Sequence, residues 1–416
     1  MHRRLVPGLL AFAFIALTLP TFADPPGVYA LTGGTVHPVN GPDIPNGTVL
    51  IRDGLIEAVG AGIAIPPDAT TIDVKGMQVY PGLIDAQTSL GFPSPASSRG
   101  RRGGGGPRPQ TPQPQLPETS AAYMAARNVN LTDDDADAKR ASGVTTIVTA
   151  PSFGIFNGQS VVLNLGTGTP ESRIVRDPAA IQISFTPRPA WTFPDSLMGV
   201  VAYIRQSFMD AQQYAAARAI YDKNPAGLQR PPDGPALAAL GMVLRKDVPV
   251  VFIADTDLMM RRVEKIASEF GIRYIISGGR QAYRMGDELK RAGAPVFVSV
   301  HWPAAPTDKE EREEQPLRLV RDRQLAPTSP AVLAKNGVTF ALVSGPAKTS
   351  EFVSGIRKAI DNGLSADDAL RATTISPARI LGIDRQLGSI ERGKIANIVV
   401  SDRPSSATCS CRCSQR

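Results

Sequence analysis

Tyr80-Pro81-Gly82-Leu83-Ile84-Asp85-Ala86-Gln87-Thr88-Ser89-Leu90-Gly91 joins two unlike parts of the chain. Upstream, from Val28 to Tyr80, short β-rich runs are punctuated by glycine, the pattern of strands joined by turns. Downstream, short apolar runs alternate with amphipathic stretches long enough for helices. That alternation predicts βα units around a parallel sheet.

In the upstream part, Tyr29 to Val36 reads as a strand bent at Gly33-Gly34. Thr48 to Arg52 and Leu55 to Val59 flank Asp53-Gly54. Asp-Gly between two β-rich runs predicts a two-residue hairpin, because a type I′ turn needs positive φ at both central positions. Thr71 to Val74 and Gln78 to Tyr80 give two further strands around Lys75-Gly76.

Past Gly91 the composition changes. Phe92 to Thr119 carries Arg99, Arg101, Arg102 and Arg108 among glycine, proline and glutamine, and reads as a disordered loop over 92–119. Strands are then expected at 144–149, 160–165, 249–253, 272–276, 295–300 and 338–343, separated by helices such as 196–223 and 258–270. Several such units over roughly 250 residues fit a (β/α)8 barrel. Glu310 to Arg323 reads as a charged insertion.

The chain has 416 residues, 42% hydrophobic and 20% charged, which predicts a packed core. Net charge is +7, but Arg3, Arg4 and the loop arginines supply much of the excess. A basic stripe with interleaved aromatics is missing, which argues against a nucleic-acid partner. Residues 1–23 combine a charged start, an apolar run from Leu9 to Leu19 and small residues before Asp24, as in a secretory signal peptide. The expectation is a secreted or periplasmic protein with no membrane span after signal removal. The three cysteines, Cys409, Cys411 and Cys413, lie in a tail over 401–416 that reads as disordered, so no disulfide framework is expected.

The stretch from Pro81 to Ala86 resembles the first barrel strand of the amidohydrolase superfamily, where the motif leads into His-x-His. Leu387-Gly388-Ser389-Ile390-Glu391-Arg392-Gly393-Lys394 resembles that family's C-terminal signature. The resemblance is nearest to the imidazolonepropionase-like branch. It implies an α/β protein: a (β/α)8 TIM-like barrel over 81–384, with a small β-sandwich domain built from N- and C-terminal segments, 24–80 and 385–400. It also implies hydrolysis of C–N bonds in cyclic amides or peptides, with zinc or a similar divalent metal lowering the pKa of a bound water. In the family, further sandwich strands follow the last signature. Here the Ser/Cys/Arg tail replaces them, which predicts a weakened small domain.

The family's site uses His-x-His after strand one, histidines after strands five and six, and an aspartate after strand eight. The corresponding segments here hold Gln87 and Ser89, then Asp255, then Arg280, then Ser344. The whole chain has three histidines, His2, His37 and His301, fewer than the four the resemblance implies. Gln and Ser are poor zinc ligands, so no metal ligand is assigned and no cofactor is expected. If chemistry exists without metal, His301 with Asp255 is the candidate acid–base pair. Gln87, Ser89, Asn157, Gln159, Arg280 and Ser344 are the candidate substrate-binding residues. Blander alternatives stand beside each: a packed His301, Asp255 and Asp257 at a helix start, and Asn157-Gly158 as a turn. Two readings follow, a hydrolase with an altered site and a pseudoenzyme that binds a small molecule, peptide or partner at the barrel mouth. Homo-oligomerisation stays open.

Overall fold

The structure is a computed structural model that describes residues 27–93, 121–188, 193–345 and 349–402. The expected signal peptide, the loop from 94 to 119 and the cysteine-bearing tail lie outside the described residues.

Five strands open the chain: β1 (Val28–Val36), β2 (Ile44–Arg52), β3 (Leu55–Ala61), β4 (Thr70–Asp73) and β5 (Gln78–Pro81). β2 and β3 form the expected hairpin, with Asp53 at φ 52° and Gly54 at φ 74°. Both angles are positive, as a type I′ turn demands.

Eight strands follow: β6 (Leu83–Thr88), β7 (Val144–Thr149), β8 (Phe156–Asn164), β9 (Ile174–Ser184), β10 (Val250–Ala254), β11 (Tyr274–Gly278), β12 (Val296–Ser299) and β13 (Phe340–Val343). They form one sheet in sequence order, nearly closed into a barrel. β8 departs from the expected regular βα alternation, because it runs antiparallel to both β7 and β9. The links from Thr149 to Phe156 and from Asn164 to Ile174 are too short for a parallel crossover of about a dozen residues. β9 is absent from the sequence-based reading. Arg176-Asp177-Pro178 interrupts its apolar pattern and resembles a turn.

One last strand, β14 (Ile398–Ser401), returns to pair antiparallel with β5. The small sheet therefore has the order β14-β5-β1-β2-β3, with β4 also on β1, and joins the two ends of the described chain. The C-terminal signature straps this sheet. Gly393 N–H donates to Ile56 O and Ala396 N–H to Gly54 O, both at 2.8 Å.

The barrel has two apolar layers. Ile84, Val148, Val162, Val251, Phe297 and Ala341 form an inner cluster, joined by Ala378 and Leu381 of the helix Ile375–Leu381. That helix lies where β9 begins, since Arg176 Nη1 donates to Leu381 O at 2.7 Å. It plugs the N-terminal end. The outer faces, such as Val161, Ile181, Phe252 and Val298, pack against surrounding helices, among them Val200, Ile204 and Phe208 of the long helix Leu197–Lys223. With the bottom filled, the C-terminal ends of the strands form the mouth.

Gly82 shows why the join needs glycine. A Cβ there would sit 2.0 Å from Thr145 Oγ1 on β7.

Candidate functional site

Barrel sites are built at the C-terminal ends of the strands. Near the end of β6 lies Gln87, whose Nε2 donates to Gln182 Oε1 on β9 at 2.8 Å. β7 and β8 separate these strands in the sheet, so the bond spans the lumen. Gln182 is buried, and its Nε2, like Gln87 Oε1, is enclosed with no partner among the described residues. Gln182 escapes a sequence reading that misses β9, although Gln182 and Ser184 alternate with Ile181 and Ile183 as an inward polar pair. Ser89 follows β6 and starts a turn, its carbonyl accepting from Phe92 N–H at 3.1 Å.

A second set joins the first and last strands. Asp85 on β6 is fully buried. Its Oδ1 accepts Ser344 N–H at 2.9 Å, and its Oδ2 accepts the Ser344 hydroxyl and the Lys139 ammonium at 2.5 and 2.7 Å. Gly345 N–H donates to Gln87 O at 3.0 Å. Among the described residues no strand ladder links β6 to β13, so these bonds hold the seam. Ser344, a candidate for substrate binding, is thus fully buried and engaged in structure. Lys139 also lies 5.7 Å over the Phe352 ring.

Asp255 follows β10, and Arg280 follows β11. Their side chains form an ion pair at 2.7 Å, both partly exposed. His301 Nδ1 lies 3.4 Å from Glu351 Oε2, with half of the imidazole exposed. His301 and Asp255, expected to act together, therefore have separate partners. The helix-start reading of the neighbouring segment finds its cap in Thr256, whose side chain accepts from Met259 N–H, while Asp257 sits in the first turn.

Asn157 and Gln159 lie inside β8 rather than in a turn after a strand. Asn157 is buried, its Nδ2 donating to Phe153 O at 3.1 Å and its Oδ1 enclosed with no partner among the described residues. Gln159 anchors the segment before the helix Ala125–Asn128, through its N–H to Tyr123 O at 2.8 Å and its Nε2 to Ala121 O at 3.4 Å.

A cavity of about 610 Å³ opens beside Asp255 and Arg280 at the ends of β10, β11 and β12. The helix Leu317–Leu325 covers it. This is the segment expected to be a charged insertion. Tyr283 OH donates to Asp322 Oδ1 at 2.8 Å, and burial raises the phenol's pKa, which keeps it the donor.

Zinc sites take imidazole, thiolate or carboxylate donors. At the mouth, Gln87 and Gln182 are neutral amides bonded to each other, Asp255 is neutralised by Arg280, and Asp85 is sealed behind Lys139 and Ser344. Among the described residues no three His, Cys, Asp or Glu side chains converge. These residues do not fit a family-type zinc ion.

The fold and mouth define an α/β-barrel protein of the kind that carries its site at the strand ends. The model of the Amidohydrolase family matches residues 302–410. The imidazolonepropionase of Pseudomonas aeruginosa (strain UCBPP-PA14) is 24% identical over 392 residues, covering 85% of this chain and 87% of that protein. A second imidazolonepropionase, from Symbiobacterium thermophilum, is 22% identical over 408 residues, covering 87% and 85%. The solved amidohydrolase from Thermotoga maritima MSB8 superposes with a TM-score of 0.75 at 26% identity, covering 91% of this chain and 95% of that one. The chain is thus similar along most of its length to members of the amidohydrolase superfamily.

Proposed function

We propose that this chain is a barrel of the amidohydrolase superfamily that binds a small molecule or peptide at its mouth, outside the cytoplasm, with metal-dependent C–N bond hydrolysis impaired or absent. The observation that carries this reading is the Gln87–Gln182 bond across the lumen. Two neutral amides engage each other where the family resemblance calls for a metal-binding histidine on strand one. The apolar segment in residues 1–23 supports the location.

Metal analysis of the purified protein tests the proposal. The expected result is no stoichiometric zinc, and tightly bound zinc at one ion per chain would overturn it.

A second reading, a C–N hydrolase with a reorganised site, draws on the similarity to imidazolonepropionases along most of the chain. In that reading Asp255, released from Arg280 by substrate, is the acid–base group, and His301 approaches from β12. Turnover of cyclic amides or dipeptides that Asp255→Ala abolishes would establish it. Chelator sensitivity of that turnover would show a metal to be involved.

A further inference from the structure

The mouth cavity carries more positive charge than its own acids neutralise. Asp255 is paired with Arg280, and Asp257 with Arg261 at 3.3 Å. Asp322 accepts from Tyr283 OH and from Gln281 Nε2 at 2.6 Å, and lies 3.6 Å from Arg284. None of these carboxylates pairs with Arg318 or Arg323 of the covering helix. On that helix Arg318 and Asp322, and likewise Leu319 and Arg323, are four residues apart, so one helix face turns all four into the cavity. Arg318 has no acceptor among the described residues. Among the described residues Arg323 reaches only the neutral side chain of Gln315. Leu258, Pro303, Ala304, Leu319 and Ala326 supply the apolar part of the wall, beside the neutral polar side chains of Thr256, Gln281 and Gln315.

Resting on the binding role proposed above, we infer that Arg318 and Arg323 form a receptor for the carboxylate of a small organic ligand whose apolar body packs against Leu258 and Leu319. A guanidinium offers a planar fork of donors that matches a carboxylate and is strongest where water is partly excluded. The volume, about 610 Å³, lies within the range of small-molecule sites, and an inorganic anion would leave most of it unfilled.

Calorimetric titration of the full chain with N-acetyl-L-leucine and with its uncharged amide tests this. The acid is expected to bind saturably and about tenfold or more tighter than the amide, with an affinity that falls as salt rises. Arg318→Gln, an exposed position with no acceptor among the described residues, is expected to remove most of that preference. Arg318→Gln/Arg323→Gln should remove it fully, with an unaltered circular dichroism spectrum as the control for folding. Equal binding of acid and amide overturns the arginine assignment and leaves the binding role standing. So does an acid affinity that survives both substitutions. Absence of saturable binding by either probe also overturns the assignment, whereas the binding role itself falls to stoichiometric zinc.

Discussion

The Lys139 ammonium lies 2.7 Å from the Asp85 carboxylate, with both side chains sealed from solvent. Asp85 is the aspartate of the Pro-Gly-Leu-Ile-Asp-Ala motif, and in this chain its role is mechanical. It takes the Ser344 N–H and hydroxyl from across the seam, where the first and last barrel strands have no ladder of their own. A charge that fastens two strands must itself be neutralised, and Lys139 supplies the neutralisation from the helix Asp133–Ala141.

Lys139→Met should therefore destabilise the fold by about 3–5 kcal/mol, the cost of leaving a buried charge unpaired. Chemical denaturation measures it. Replacing both members, Asp85→Asn with Lys139→Met, should cost clearly less than the sum of the two single changes. Additive single and double costs would show that the two groups do not depend on each other.

Gly82→Ala is expected to destabilise by about 1–3 kcal/mol through overpacking. The new methyl would meet the Thr145 side chain at 2.0 to 2.8 Å. Thr145 Oγ1 has no hydrogen-bond partner among the described residues, so Thr145→Ala removes the nearest atoms without orphaning a donor there. The double variant should recover part of the loss in a thermal melt. If Thr145→Ala gives no relief, the close approach of β6 and β7 is not the reason for the glycine.

Much of the architecture is legible in local chemistry. Asp53-Gly54 fixes its hairpin because turn geometry depends on two residues alone. Gln87 and Ser89 announce a changed mouth because they fall inside a recognisable motif. The burial of Lys139 is not legible. Lysine is normally exposed, and its partner lies 54 residues away in sequence. The engagement of Ser344, a candidate for substrate binding, is hidden for the same reason, since the carboxylate that holds it is at the opposite end of the barrel sequence. β9 hid behind Arg176-Asp177-Pro178, and with it went Gln182, the lumen partner of Gln87.

Restoring histidines at strand one should not by itself create a zinc site. Gln87→His/Ser89→His supplies two ligands, whereas zinc requires about four donors, or three and a water. The nearby acids are committed, Asp85 to Lys139 and Ser344 and Asp255 to Arg280. The expected result is an unfolding midpoint of the double variant that does not move when zinc is added. A zinc-dependent rise in that variant would mean that further donors converge on the mouth despite those ion pairs.

Glu391, in the C-terminal signature, ties the acid stability of the fold to the strap over the small sheet. Its Oε2 lies 2.6 Å from the Lys394 ammonium and accepts the Ser389 hydroxyl at 2.8 Å. The Lys394 hydrogen bond, with lesser help from Ser389 and Asn40, holds the carboxyl pKa below its ordinary value of 4.5. Between the depressed folded value and 4.5 the unfolded chain takes up a proton that the folded chain refuses. The contribution is thus fully present above pH 4.5 and is lost as pH falls through the folded pKa. Glu391→Gln should flatten the acid limb of the stability profile relative to the parent and leave the profile parallel to it near neutrality. Denaturant melts at stepped pH read this directly, and an acid limb of unchanged slope would show that the strap does not depend on the charge of Glu391.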